Sequence, residues 1–265
     1  MKFRLTLNQK GDYIKTKIIA IVLLLSGCSS QPLFYNEFSP PNDSKQVTIE
    51  VDVPPNTNIS PLNVMYRSYK CKVSRSVSER EYRDVPGFHR MEVLLSKQES
   101  TTLFTKGIPI NGGGKCDWRL SKITMGLKFN KNQPLSFNVS DFIGTNLVLI
   151  FDNNPPQING GRAIKVVGDL TISKYYFPWL DKGVKGDKPT LRVFGGESYI
   201  YYNISNPQTI LWQPKINNET YIITENPESK RSVGIKTLIK YSDGSVSQGD
   251  SYDKKYKKLL SMMEK

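Results

Sequence analysis

The chain has 265 residues, 37 Lys and Arg against 24 Asp and Glu for a net charge of +13, and 38% hydrophobic residues. That is enough apolar chain for one large core or two small ones. The basic residues are scattered over 70–83, 122–131, 182–188 and 254–258. Nucleic-acid binders instead gather them in a stripe on one face, which argues against a nucleic-acid partner. The charge suits anionic lipid headgroups or an acidic protein partner, and it equally suits a solvated surface.

The first residues have the layout of an export signal. Lys2, Arg4, Lys10, Lys15 and Lys17 precede an apolar run over 18–25, and the small residues Ser26 and Gly27 follow. A run of eight is far short of the roughly 20 residues that span a bilayer. The stretch Leu25-Ser26-Gly27-Cys28 resembles the lipobox of bacterial lipoproteins. The resemblance implies cleavage between Gly27 and Cys28, acylation of Cys28, and attachment to the bilayer through that lipid, with no other cofactor. More than one acyl chain is implied, because a single chain binds a membrane only marginally. Ser29 stands where an aspartate would favour inner-membrane retention in Gram-negative lipoproteins. The expected location is therefore the periplasmic face of the outer membrane. Residues 1–27 hold five basic residues and one aspartate, so the chain from Cys28 has 238 residues and a net charge of +9.

Residues 28–45 read as a lipid-anchored tether, with Pro32, Pro40 and Pro41 keeping the chain extended. Phe34, Tyr35 and Phe38 offer the alternative of packing on the folded part. Val47, Ile49, Val51 and Val53 then alternate with polar residues, the period of a half-buried strand. Further strands are expected over 63–73, 88–95, 118–129, 146–151, 163–173, 191–194, 199–204, 220–224 and 233–241. Residues 74–87 and 107–117 read as loops. Asp152-Asn153-Asn154-Pro155-Pro156 is the strongest breaker. It is a candidate boundary between 46–151 and 152–265, unless the whole forms one sandwich. Tyr252, Tyr256, Leu259, Leu260 and Met263 mark one face of a helix, with Asp250 or Ser251 as cap and Lys254, Lys255, Lys257 and Lys258 on the rest. Such a helix lies on a membrane or docks on its own domain. The expected fold is mainly β, an antiparallel β-sandwich-like domain or domains with one C-terminal amphipathic helix.

If Cys28 carries lipid, Cys71 and Cys116 are left, and an oxidising periplasm allows them to pair. The expected disulfide competes with the reading of two buried thiols.

The search for catalytic motifs finds little. His89 is the one histidine and sits among apolar neighbours in a strand pattern. Gly112-Gly113-Gly114-Lys115 lacks Walker spacing and reads as a turn. No zinc-ligand cluster or nucleophile elbow is present. The expectation is a binding protein rather than an enzyme. Two aromatic groups with basic neighbours are candidate partner surfaces: Tyr175, Tyr176 and Trp179, and Tyr82 with Phe88. Each could instead be core with a solvated rim.

The stretches Pro61-Leu62-Asn63-Val64-Met65-Tyr66-Arg67-Ser68, Gly87-Phe88-His89 and Gly112-Gly113-Gly114-Lys115-Cys116-Asp117-Trp118-Arg119-Leu120-Ser121 resemble a family of enterobacterial lipoproteins that are immunity partners of type VI secretion phospholipase toxins. The resemblance covers roughly 46–130. It implies an anchored periplasmic protein that binds a toxin and occludes its active site. The alternative is a structural or assembly lipoprotein of the envelope or of a secretion machine.

Overall fold

The computed structural model describes residues 37–154, 163–183, 187–197, 199–226 and 237–264. The expected signal, the lipobox with Cys28, and the tether as far as residue 36 lie outside them. So do Val233 and Ile235 of the last expected strand.

The protein is mainly β, as its alternating segments predict. One sheet is built from β1 (Gln46–Asp52), β5 (Ser96–Lys97), β6 (Leu103–Pro109), β9 (Asp141–Ile143), β12 (Leu170–Asp181), β13 (Thr190–Phe194), β15 (Thr209–Ile216), β16 (Ile222–Glu225), β17 (Leu238–Tyr241) and β18 (Val246–Gln248). Its main path runs β18-β17-β16-β12-β15-β1-β6-β5, with β13 on β12 and β9 on β13. The other sheet comprises β2 (Thr57–Ile59), β3 (Leu62–Ser76), β4 (Tyr82–Val93), β7 (Asn111–Gly113), β8 (Trp118–Phe129), β10 (Thr145–Ile150), β11 (Ile164–Val167) and β14 (Tyr199–Ser205). It is ordered β11-β14-β10-β8-β3-β4, and β2 and β7 also pair with β8.

The two sheets pack on a common core in a sandwich-like arrangement. Val47, Ile49 and Val51 of β1 and Ile210 and Trp212 of β15 come from the first sheet, and Val64, Tyr66, Ile123, Met125, Leu147 and Leu149 from the second. All of these side chains are wholly buried, and burying each contributes about 1.5–3 kcal/mol.

One expectation changes, and two alternatives left open are decided. Neither sheet is purely antiparallel: β15 runs parallel to both β1 and β12, and β14 runs parallel to both β10 and β11. Strand alternation reports which face is buried but not which way the neighbour runs. The breaker at 152 does not divide two domains. Strands from before and after it interleave in both sheets, and Glu37–Lys265 is one compact unit. The tether is docked from residue 37. Phe38 lies 4.7 Å from the Tyr66 ring and stacks on His89 at 5.5 Å, and the Ser39 N–H donates to the Gly112 carbonyl. The glycine turn makes this seat: Gly113 has φ +60°, and a side chain there would meet the Ser39 carbonyl oxygen at 2.1 Å.

Two of the long central strands contain a proline. Pro214 of β15 lies beyond the last β1 partner, Trp212, so its missing N–H is not needed on that side. In β12, Tyr176 is the last residue paired with β15 and Trp179 the first paired with β16, and Pro178 sits between them.

The final helix α1 (Tyr252–Met263) forms as its periodicity predicts, and Ser251 caps it by accepting from the Lys254 N–H. Its apolar stripe docks on the domain. Leu259 is wholly buried among Phe177, Trp179, Phe194, Ile222, Ile239 and Tyr241. Leu259→Ala removes a packed side chain at the centre of this second core. The expected loss is about 3 kcal/mol, read as a lower midpoint in urea unfolding with an unchanged slope.

Candidate functional site

The most distinctive surface is made by β3 and β4. As far as Arg67, β3 is flanked by β8 on one side and β4 on the other. Beyond that point it pairs with β4 alone, and the two strands leave the sandwich as a two-stranded arm. Both faces of the arm are open: from Lys72 to Ser76 and from Tyr82 to Val85, every side chain is exposed or half-buried. The stretch 72–76 carries the arm about 17 Å outward at strand rise. The loop is short, with the Val77 N–H bonded to the Glu81 carbonyl. The expected 14-residue loop over 74–87 is therefore mostly strand. Its charged residues alternate on an arm that has no core to face, which hides the pattern.

An elbow fixes the arm to the body. The pairing shifts between Ser68 and Lys72, so residues 69–71 bulge out of β3. Buried Ser68 donates from Oγ to the Cys116 carbonyl at 2.5 Å and accepts from the Cys71 N–H at 2.8 Å. Cys71 and Cys116 form the expected disulfide at the same point, joining the arm to the turn before β8. Gly87 faces the bulge, and a Cβ there would stand 2.3 Å from the Cys71 carbonyl oxygen. Beside the elbow, the His89 ring lies between Phe38 and Trp118, 5.5 and 5.8 Å away. This is the packed strand histidine its neighbours predict.

The arm and its root display Tyr69 at 66%, Val77 at 52% and Tyr82 at 69% exposure. Lys70, Lys72, Arg75, Arg80 and Arg83 surround them, interleaved with Glu79, Glu81 and Asp84. Phe88 does not project. It is half-buried, with the Arg75 and Arg90 guanidinium carbons 5.5 and 5.1 Å from its ring centroid. This stacking holds two guanidinium groups by one ring at the root of the arm, an arrangement worth about 0.5–1 kcal/mol at an exposed site. Of the expected pair, Tyr82 is a free surface anchor and Phe88 is the platform beneath the arginines.

The second aromatic group is a correction. Tyr176 is wholly buried and Trp179 is 8% exposed, so neither presents a surface to a partner. They build the two cores: Tyr176 packs edge-on to Trp212, and Trp179 edge-on to Phe194 and Tyr252. The Trp179 indole N–H donates to Thr224 Oγ1 at 2.8 Å. Only Tyr175 keeps an open ring, with the Lys215 ammonium 5.5 Å above it, and its carbonyl accepts from the Tyr256 hydroxyl at 3.0 Å. Burial pushes the Tyr256 phenol up to about 12.

A polar knot holds the start of α1. Asp250 accepts from Lys254 at 2.6 Å, from the Tyr241 hydroxyl at 3.2 Å and from Ser247. The Lys254 and Ser247 hydrogen bonds hold its carboxyl below the usual carboxylate range. A depressed folded value means the stabilisation is complete above about pH 4, the ordinary unfolded value, and is lost as the pH falls through the folded one. Thermal unfolding at pH 3 is expected to show a lower midpoint than at pH 7, and Asp250→Asn is expected to shrink that difference.

Among the described residues no three His, Cys, Asp or Glu side chains converge as metal ligands, and no helix is long and apolar enough to cross a membrane. No protein-family model matches the chain, and no curated protein or solved structure is detectably similar to it.

Proposed function

We propose that this is a membrane-anchored periplasmic lipoprotein, held by acyl chains on Cys28, that binds and neutralises a secreted antibacterial toxin, a type VI phospholipase effector. In this reading it is a binder and not an enzyme. The observation that carries the proposal is the stapled arm. The arm adds nothing to either core, yet a bulge, a buried serine and a disulfide converge to fix its direction. Ordering a protruding hairpin costs conformational entropy, and exposed tyrosines beside stacked arginines are the residue types that anchor protein interfaces.

The shape suits occlusion. A two-stranded ribbon with side chains standing on both faces is about 10 Å thick, so the arm can lie across the mouth of a cleft and cover it. Its mixed charge gives register, and its tyrosines bury apolar area at small entropic cost.

The proposed anchor suits the same task. From Cys28 to Glu37 the chain can span about 30 Å at most, so the folded part stays close to the bilayer that a phospholipase attacks.

The test is protection. Cells that export a phospholipase effector from the same organism's secretion clusters to their periplasm are expected to lyse, and co-expression of this chain is expected to restore growth. Cys28→Ala, which removes the acylation point, is expected to weaken protection. Failure to protect against every such effector would overturn the reading in favour of an assembly lipoprotein.

A further inference from the structure

The arm has an open edge as well as open faces. β4 pairs with β3 alone, so its outer edge meets no other strand among the described residues. The ladder fixes which backbone groups lie there. The Val77 N–H donates to the Glu81 carbonyl at 2.9 Å, so these two residues form a hydrogen-bonded pair. Such pairs alternate along an antiparallel ladder, which makes Arg75 with Arg83 and Val73 with Val85 the next ones. Tyr82 and Asp84 therefore point their N–H and C=O groups outward. Pro86 falls in the same outward set, where its missing N–H takes nothing from the ladder.

An open edge is a template for another strand, and proteins usually blunt it. Pro86 blunts this one toward the body and leaves it open at Tyr82 and Asp84. The sequence at the tip specifies the strand that fits. In Arg80-Glu81-Tyr82-Arg83-Asp84, opposite charges stand at equal distances on either side of Tyr82. Laid antiparallel on a second copy and centred on Tyr82, the segment sets Glu81 of each copy against Arg83 of the other, and Arg80 against Asp84. The same register makes Tyr82 and its own copy a hydrogen-bonded pair through their outward groups. Centring one residue either way would instead set Glu81 on Glu81 or Arg83 on Arg83, and like charges directly opposite are destabilising. Within one chain Glu81 and Arg83 stand 3.7 Å apart, with side chains 62% and 70% exposed, a weak contact that leaves both able to bond across the edge.

We propose that two copies of the protein join arm tip to arm tip, β4 antiparallel to β4, about a twofold axis through Tyr82. The contact is self-complementary and closed, as a twofold pair requires. Only the tips overlap, so the two bodies stand at opposite ends of the joined arms. The overlap is short, and the pair is accordingly weak and reversible. It requires no toxin. It covers Tyr82, so a joined tip does not anchor another protein at the same time.

The experiment is cysteine crosslinking of the full chain in detergent, driven by oxidised glutathione and read on non-reducing gels. Tyr82→Cys places one thiol on the axis, opposite its own copy. A hydrogen-bonded pair has Cα atoms about 5.5 Å apart, within reach of a disulfide. Tyr82→Cys is expected to form linked dimer roughly tenfold faster than Tyr69→Cys or Ser76→Cys, which are exposed but lie off the paired edge. Equal rates at the three positions would mean random collision and would overturn the proposal. Glu81→Arg and Arg83→Glu, each added to Tyr82→Cys, set like charges against each other and are expected to lose the fast rate. Mixing the two variants restores opposite charges at both positions and is expected to restore it as a heterodimer. A mixture that links no faster than either variant alone would also overturn the assignment.

Discussion

Replacing Cys71 and Cys116 together by alanine is expected to lower the melting temperature by about 8–16 °C. The disulfide closes a 45-residue separation, which in the chain-entropy model is worth about 4 kcal/mol. A domain of this size shifts by about 2–4 °C per kcal/mol. The loss should also be unevenly distributed. The strands around Val47, Met125 and Leu147 keep their contacts, because none depends on the crosslink. The arm keeps only its β3–β4 ladder and the Ser68 bonds. Hydrogen exchange is expected to rise most at 69–76 and 82–87 and least in β8 and β10. Uniform acceleration would mean that the crosslink stabilises the body as a whole and has no special bearing on the arm. The same variant should bind its partner more weakly, since an arm released at its elbow must be ordered again on binding.

The second large effect concerns recognition alone. Tyr69→Ala, Tyr82→Ala and Arg75→Glu, combined, are expected to weaken partner binding more than 100-fold, because central aromatic and arginine anchors each contribute about 2 kcal/mol or more. All three side chains are exposed, so stability should change by no more than about 0.5 kcal/mol at Tyr69 and Tyr82 and about 1 kcal/mol at Arg75, whose contact with the Phe88 ring is lost. Titration calorimetry beside thermal melts separates the two quantities. A variant that melts like the wild type and binds like it would remove the arm from the interface.

Much of the fold was legible because burial and alternation coincide. In β1, and in β8 from Ser121 onward, every second side chain is wholly or almost wholly buried, and both strands are found where their period places them. The helix was legible for the same reason at a period of 3.6. What stayed hidden has specific physical causes. β15, which places Trp212 in the core, was not among the expected strands, and Pro214 stands inside it. It is tolerated because β1 has already ended beside it. The arm lacked any core-facing side and so gave no alternation. The aromatic run at Tyr175 looked like a surface because its lysine neighbours are charged, yet Tyr176, Phe177 and Trp179 face two cores on opposite sides of a switching strand. Lys255 was hidden by its residue type. Its place three residues after Tyr252 and four before Leu259 was the one signal that it faces inward.

The candidate site was legible in part. Tyr82 and the cysteine pair were visible as residues. The elbow was not, because Ser68 and Gly87 acquire their roles only when Cys116 is brought beside them from 45 residues along the chain from Cys71.

The most direct test of the central claim is phospholipase activity measured with and without this protein. A form beginning at Ser29, with the disulfide intact, would be mixed with each phospholipase effector of the same organism. Hydrolysis of phospholipid vesicles would then be followed as the protein is added. The proposed function predicts that hydrolysis by one effector falls to background at a 1:1 ratio and that the triple arm variant leaves it unchanged. Undiminished hydrolysis by every effector, at any ratio, would contradict it.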